Sequence, residues 1–175
     1  LNTHEKSLFQ NLEYINDKHR SNGHPMIQKI DWKIIQLVWE KYLWPNRTSA
    51  IETNSAMIYL GGIDMENMNS SPIFLGYYYL NLLAGVNSGH MCNDGTYRSR
   101  GLYVFPEYRG MGIGSSLLTA TLKEGKKLNA SLVWSLPRKT SWSTYRRVGF
   151  TLSSEWKKTE TSSQNAYCKF QISEK

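Results

Sequence analysis

The residues best suited to chemistry lie in FPEYRGMGIGSSLL (105–118), where Arg109 precedes glycines at 110, 112 and 114. An apolar run, LYVF (102–105), comes before them. After them, Ile113, Leu117, Leu118 and Leu122 recur at helical spacing. A strand, a glycine loop and a helix start make an anion site. The first N–H groups of a helix have no intrahelical acceptor, and the dipole adds positive potential there. Glycines let a phosphate come close to that backbone. Two familiar phosphate patterns do not fit. The P-loop needs Gly-x-x-x-x-Gly-Lys-Ser/Thr, and EGKK (124–127) lies inside the helical stretch. The dinucleotide fingerprint needs Gly-x-Gly-x-x-Gly; counted from Gly110 the last position is Ser115, and counted from Gly112 it is Leu117.

A third pattern, Arg/Gln-x-x-Gly-x-Gly/Ala, is filled by Arg109, Gly112 and Gly114. LYVFPEYRGMGIGSSLL resembles the acetyl-CoA-binding motif of the GNAT superfamily of N-acetyltransferases. A Val stands two residues before Pro106, and TYRRVGF (144–150) is similar to the Tyr-x-x-x-Gly-Phe ending of that family's last helix. The resemblance spans about 26–170 by element order and is specific over 97–150.

The resemblance implies acetyl transfer from acetyl-CoA to a primary amine, with no metal. It assigns the pyrophosphate to Arg109, Gly110, Met111, Gly112, Ile113, Gly114 and Ser115. The pantetheine arm falls to the backbone at Tyr103 and Val104, and protonation of the departing thiolate to Tyr145. Arg138 stands where the family commonly has an Asn that touches the cofactor. The family often carries carboxylates where this chain has Arg98 and Arg100. Two apart, these share one face of a strand, and an arginine is no base. They become the candidate substrate-binding residues, and an acceptor with an anionic group near its amine is expected. The candidate catalytic base is His90, with Glu107, Asp94 and Tyr79 behind it.

The elements that must position these residues can be read along the chain. A helix is expected over 3–20 and a short strand over 26–30. Asp31 caps a helix running to about Leu43, with Ile34, Ile35, Val38, Trp39 and Tyr42 inward. AMIYL (56–60) reads as a strand, IFLGYYYLNLLAGV (73–86) as one long strand and NSGHMCNDG (87–95) as turn. Strands follow at 96–104 and 131–136, helices at 112–128 and 138–147, then two final strands, FTLSSEW and AYCKFQI. The expected fold is α/β (α+β): a GNAT-like mixed, mostly antiparallel sheet of six or seven strands with helices on both faces. The strand ending at Val104 should diverge from that at 131–136.

At 175 residues the chain fits one domain, with 1–25 as a helical extension. Residues 1–90 hold 7 Lys/Arg against 8 Asp/Glu, and 91–175 hold 14 against 6, so the net +7 sits in the half with the glycines. Such a half suits nucleic acid or a phosphorylated small ligand. No RNP-like aromatic motif or zinc spacing supports nucleic acid. The alternatives kept open are a CoA-binding module without activity and, behind it, a nucleic-acid-binding domain. The N-terminus lacks a basic stretch followed by an apolar run, and no stretch reaches membrane-span length, so the cytoplasm is the expected compartment. The expected partner is a small-molecule or peptide amine, with the chain as monomer or homodimer.

Overall fold

The computed structural model describes residues 24–66, 70–159 and 163–172; the helix expected over 3–20 falls outside them. The strands are β1 (Met26–Lys29), β2 (Met57–Ile58), β3 (Gly61–Ile63), β4 (Ile73–Tyr79), β5 (Leu82–Met91), β6 (Tyr97–Val104), β7 (Leu132–Ser135), β8 (Thr151–Leu152), β9 (Lys157–Lys158), β10 (Gln164–Asn165) and β11 (Cys168–Gln171). The α-helices are α1 (Trp32–Val38), α2 (Ile113–Lys127) and α3 (Trp142–Val148). One seven-stranded sheet runs β1-β4-β5-β6-β7-β11-β8. Every neighbouring pair in it is antiparallel except β6 and β7. This is the expected mixed, mostly antiparallel sheet.

Alternation along the strands sends neighbouring side chains to opposite faces. Phe74 and Val86 pack with Ile35, Val38 and Trp39 on one face. Leu75 and Ala84 pack with Ile113 and Leu117 of α2 on the other. A third cluster, Tyr97, Leu118, Val133, Tyr145, Phe150 and Cys168, fixes α3 beside α2. No helix among the described residues is long and apolar enough to cross a membrane.

Three expectations need correction. The long strand over 73–86 is a hairpin, β4 and β5, turning at Leu80 and Asn81 with φ of 49° and 65°. Two positive φ values in a two-residue loop are the geometry that suits strand twist. Asn tolerates it, but Leu does not advertise it. The turn expected over 87–95 begins only after Met91. Asn87, Ser88, Gly89 and His90 are buried strand residues. Asn87 Nδ2 donates to Ser99 Oγ and Thr121 Oγ1 at 2.9 and 2.8 Å, so its amide nitrogen is met inside the core, while its Oδ1 is buried without a partner. The 56–60 strand shrinks to Met57–Ile58, paired with β3 in a separate hairpin.

The helix after Asp31 changes pitch. It is α-helical to Val38 and π-helical over Trp39–Leu43, with Trp44 N donating to the Trp39 carbonyl at 2.7 Å. Asp31 stands at the N-cap but makes no side-chain cap bond. Trp39 is buried directly over Gly101 of β6 and donates Nε1–H to the Gly101 carbonyl at 2.8 Å. Gly101 has φ of 73°, and a Cβ there would run into the indole ring. The register between β5 and β6 slips by one residue opposite this point, between Val86 and Ser88. Gly101 thus serves both a bulge and a close contact. Gly101→Ala combines left-handed strain with overpacking and should lower stability by roughly 2–4 kcal/mol. Urea denaturation checks this, and a loss under 1 kcal/mol would mean that the indole moves aside freely.

Candidate active site

β6 and β7 pair only at Tyr97↔Val133 and Arg98↔Trp134, then part. Parting strands leave backbone groups without a ladder. Side chains take over along β6: Ser135 Oγ donates to the Ser99 carbonyl at 2.8 Å and Ser88 Oγ to the Arg100 carbonyl at 2.8 Å. Arg109 Nε donates to the Val104 carbonyl at 3.0 Å. The opening holds two adjoining clefts, of about 500 Å³ and 260 Å³, which share Leu43, Leu102, Arg138 and Ser141.

The larger cleft lies at the start of α2. Gly110 and Gly112 have φ of 82° and 78°, and a Cβ at either would meet nothing within 4 Å. The loop therefore presents bare backbone to open space. Tyr103, Val104, Arg109, Gly110, Gly112, Ile113, Gly114, Ser115 and Arg138 all line this cleft. Met111 does not; it is 48% exposed and turns away from the cleft. A Cβ at Gly114 would lie 3.0 Å from Thr144 Cγ2, so this glycine serves the α2–α3 approach. Ser115 Oγ is buried with no hydrogen-bond partner. The sequence reading missed Tyr42, Tyr108 and Arg147 of this lining. Arg147 was visible within TYRRVGF as a cation two residues past Tyr145.

The smaller cleft receives Arg98, Arg100 and Tyr145. Arg98 and Arg100 share a face, as their spacing implied. The Arg98 guanidinium lies 4.8 Å from the Trp134 ring. That of Arg100 lies 4.9 and 5.3 Å from Trp39 and Trp44. Arg100 Nη1 also donates to the Glu52 carbonyl at 2.7 Å. Burial lowers both, Arg98 to about 10 and Arg100 to about 9, the latter helped by the Arg98 charge. Arg47 and Arg138 line the cleft as well; among the described residues no Asp, Glu or His does. Arg138 Nη2 donates to the Leu43 carbonyl at 2.7 Å and so bridges the mouth at the end of the π turn.

Tyr145 is 3% exposed, and its hydroxyl lies 3.3 Å from Ser135 Oγ. Burial raises its pKa, and the thiol of Cys168 adds to the rise. The phenol therefore holds its proton across the ordinary pH range.

His90 is a correction. It was expected in a loop as an accessible base, but it stands inside β5 opposite Arg98, 1% exposed, and lines neither cleft. Both ring nitrogens lack a partner. Burial first, then the Arg98 and Arg100 charges, lower its pKa to about 3. The further base candidates also stand apart from the smaller cleft. Asp94 accepts from Thr96 N and Oγ1 and from Tyr59 N. Tyr79 packs edge-on against Tyr108, and Glu107 is exposed on the turn before Arg109.

The chain resembles known proteins in fold and motif. The family model described as the acetyltransferase (GNAT) family matches residues 32–150. No curated protein sequence matches the chain. Among solved structures, nourseothricin acetyltransferase aligns at TM-score 0.51 and 22% identity, over 57% of this chain and 65% of its own length. The chain thus spans under two thirds of that protein. The ribosomal-protein-S18-alanine N-acetyltransferase of Escherichia coli aligns at TM-score 0.59 and 13% identity, over 87% and 96%. The Salmonella typhimurium yncA protein, a putative acetyltransferase solved with acetyl-CoA, aligns at 0.62 and 14%, over the same shares. At such identities these likenesses speak for the fold. With the family match covering the loop, the splayed strands and the Tyr145 helix together, the chain belongs to the GNAT acetyltransferase family.

Proposed function

We propose that the chain transfers an acetyl group from acetyl-CoA to a primary amine, with Tyr145 as general acid. The observation that carries this is the junction of two clefts at the β6–β7 opening: a bare-backbone anion site on one side, and a protonated phenol on the other. The residues fit the donor. Open space over Gly110 and Gly112, the partnerless Ser115 Oγ, and the cations Arg109, Arg138 and Arg147 together suit a pyrophosphate. Acetyl-CoA supplies the acetyl group as a thioester.

In this mechanism the amine nitrogen bonds to the thioester carbonyl carbon, and the carbonyl oxygen gains negative charge. A backbone N–H at the end of β6, freed by the splay, steadies that oxygen. The C–S bond then breaks, and the Tyr145 hydroxyl gives its proton to the leaving sulfur. The proton lost by the amine returns through water to the phenolate.

Among the described residues no carboxylate or imidazole lines the acceptor side, and electrostatics offers another route to a neutral amine. Arg47, Arg98, Arg100 and Arg138 together disfavour an ammonium beside them. The amine enters neutral, its proton left to solvent.

Three outcomes test the proposal. Gly112→Asp should abolish acetyl-CoA binding by calorimetry, because it sets a carboxylate in the anion site. Gly112→Ala strains the loop by about 1–2 kcal/mol yet should still bind, and Arg109→Ala should bind less tightly than wild type. Normal binding by Gly112→Asp would reject the site.

Tyr145→Phe should lower kcat by about 100-fold or more while acetyl-CoA affinity stays near wild type. Unchanged turnover across pH would assign thiolate protonation to water.

His90→Gln should leave the pH–rate profile of kcat/KM unchanged, because His90 reaches no substrate. Stability is where His90 acts. Its folded pKa lies below the unfolded value, so the unfolded chain binds more protons in acid. The wild type should therefore lose up to about 1.4 kcal/mol per pH unit between roughly pH 6.5 and 3, and stability is full above that window. His90→Gln should flatten this part of the curve in urea melts. A shifted pH–rate profile would restore His90 as a catalytic candidate.

A further inference from the structure

The smaller cleft contains a charge that no carboxylate among the described residues answers. Arg98 is 7% exposed, and its Nε and Nη1 are buried with no hydrogen-bond acceptor. Its guanidinium rests on the Trp134 ring, and a second guanidinium, Arg100, stands on the same strand face. No carboxylate lines the cleft, and among the described residues no ion pair involves either arginine. Arg100 has at least the Glu52 carbonyl and two indole faces. Arg98 has one ring face, which answers charge but leaves its Nε and Nη1 donors unmet.

A buried cation with unmet donors is expensive, by several kcal/mol, unless something pairs with it. Folds keep such groups where a ligand supplies the partner. Removing the charge should then stabilise the empty protein, the usual reverse side of a binding group. Tyr145 lines the same cleft, and its hydroxyl and Arg98 lie close enough to influence each other's protonation. The donors of a guanidinium lie in its own plane as a fork, which matches a planar carboxylate.

We infer that Arg98 binds a carboxylate of the acceptor, so that the amine acetylated here belongs to a molecule carrying a carboxylate a few bonds from its nitrogen. This rests on the acetyl-transfer reading above and names the substrate class of that same site. The carboxylate lies against Arg98, with Arg100 adding attraction behind it, and the amine points toward Tyr145 and the junction with the larger cleft. The pairing also discharges the local field only at the carboxylate, leaving the neighbouring amine under the remaining cations Arg47 and Arg138.

The test compares matched amines by free-thiol release and mass detection of the N-acetyl product. One arm pairs L-alanine with ethylamine and L-phenylalanine with 2-phenylethylamine. The other pairs an Ala-Glu peptide with its Ala-Gln counterpart, both C-terminally amidated. Wild type should favour the carboxylate member of one arm by about 10- to 100-fold in kcat/KM, and the arm that does so tells a free amino acid from an acidic chain end. In Arg98→Met that ratio should collapse towards one, while the melting temperature rises. Equal rates within every pair, a preference surviving in Arg98→Met, or a fall in its melting temperature would each overturn the inference.

A readout without turnover separates this from the transferase reading. Calorimetry in the presence of CoA should show N-acetyl-L-alanine or N-acetyl-L-phenylalanine, or the acetylated Ala-Glu peptide, binding wild type and not Arg98→Met. If no amine is acetylated but this binding holds, the transferase reading fails and the carboxylate site stands. If none of these acids binds better than its carboxylate-free counterpart, the carboxylate site fails whatever the enzyme does.

Discussion

The site depends on one event in the sheet: β6 and β7 stop pairing after Trp134. Two strands that share only two paired positions must find other partners for the groups they release. They find them in side chains. Ser135 answers Ser99, Ser88 answers Arg100, Trp39 answers Gly101 and Arg109 answers Val104. Four side chains therefore meet carbonyl groups of β6. Two of these four groups also carry the site. Arg109 ties the anion loop to the strand end, and Trp39 sits beneath the Arg100 guanidinium. The geometry of both clefts follows from how the splay is closed off.

The electrostatics follow from the same opening. Half of the chain concentrates the positive charge, and the fold gathers much of it around the gap. Arg109, Arg138 and Arg147 line one cleft and Arg47, Arg98, Arg100 and Arg138 the other. Indole faces make the buried pair tolerable: Trp134 under Arg98, Trp39 and Trp44 beside Arg100. On His90 burial acts first, and the two arginine charges add to it. An imidazole in the next strand, shut from water beside two guanidinium groups, stays neutral far below its ordinary range.

The anion loop was legible because its signal is local. Glycines at alternate positions before an apolar helical pattern read the same way in the chain and in space. Arg98 and Arg100 were placed on one face by strand periodicity alone. What failed was non-local. Asn87 to His90 look like turn residues until Ser99 and Thr121 supply partners in the core. Leu80 carries no hint of a positive φ. The π turn starts at Trp39, whose indole reaches Gly101, a contact between residues 62 apart. Gly101 itself reads as an ordinary break in a strand. Its role appears only with the indole that occupies the space its missing side chain leaves. His90 was misplaced with its segment, so its chemistry was judged for a loop it does not occupy.

Burial and cations both bear on the proposed chemistry. Burial keeps the Tyr145 hydroxyl protonated, so a proton is at hand for the leaving thiolate, and the Arg98 charge works against burial by making that proton easier to give. The arginine field lowers the proton affinity of any amine in the smaller cleft, so the nucleophile is neutral without a base. A carboxylate base in this cleft would be drawn to Arg98 and lose both its basicity and its freedom. The substitution of arginines for acids on β6 is thus one change with two effects. It removes the base and, by the same charge, removes the need for it. In the proposed reading the acceptor brings the negative charge that the described lining of the smaller cleft lacks.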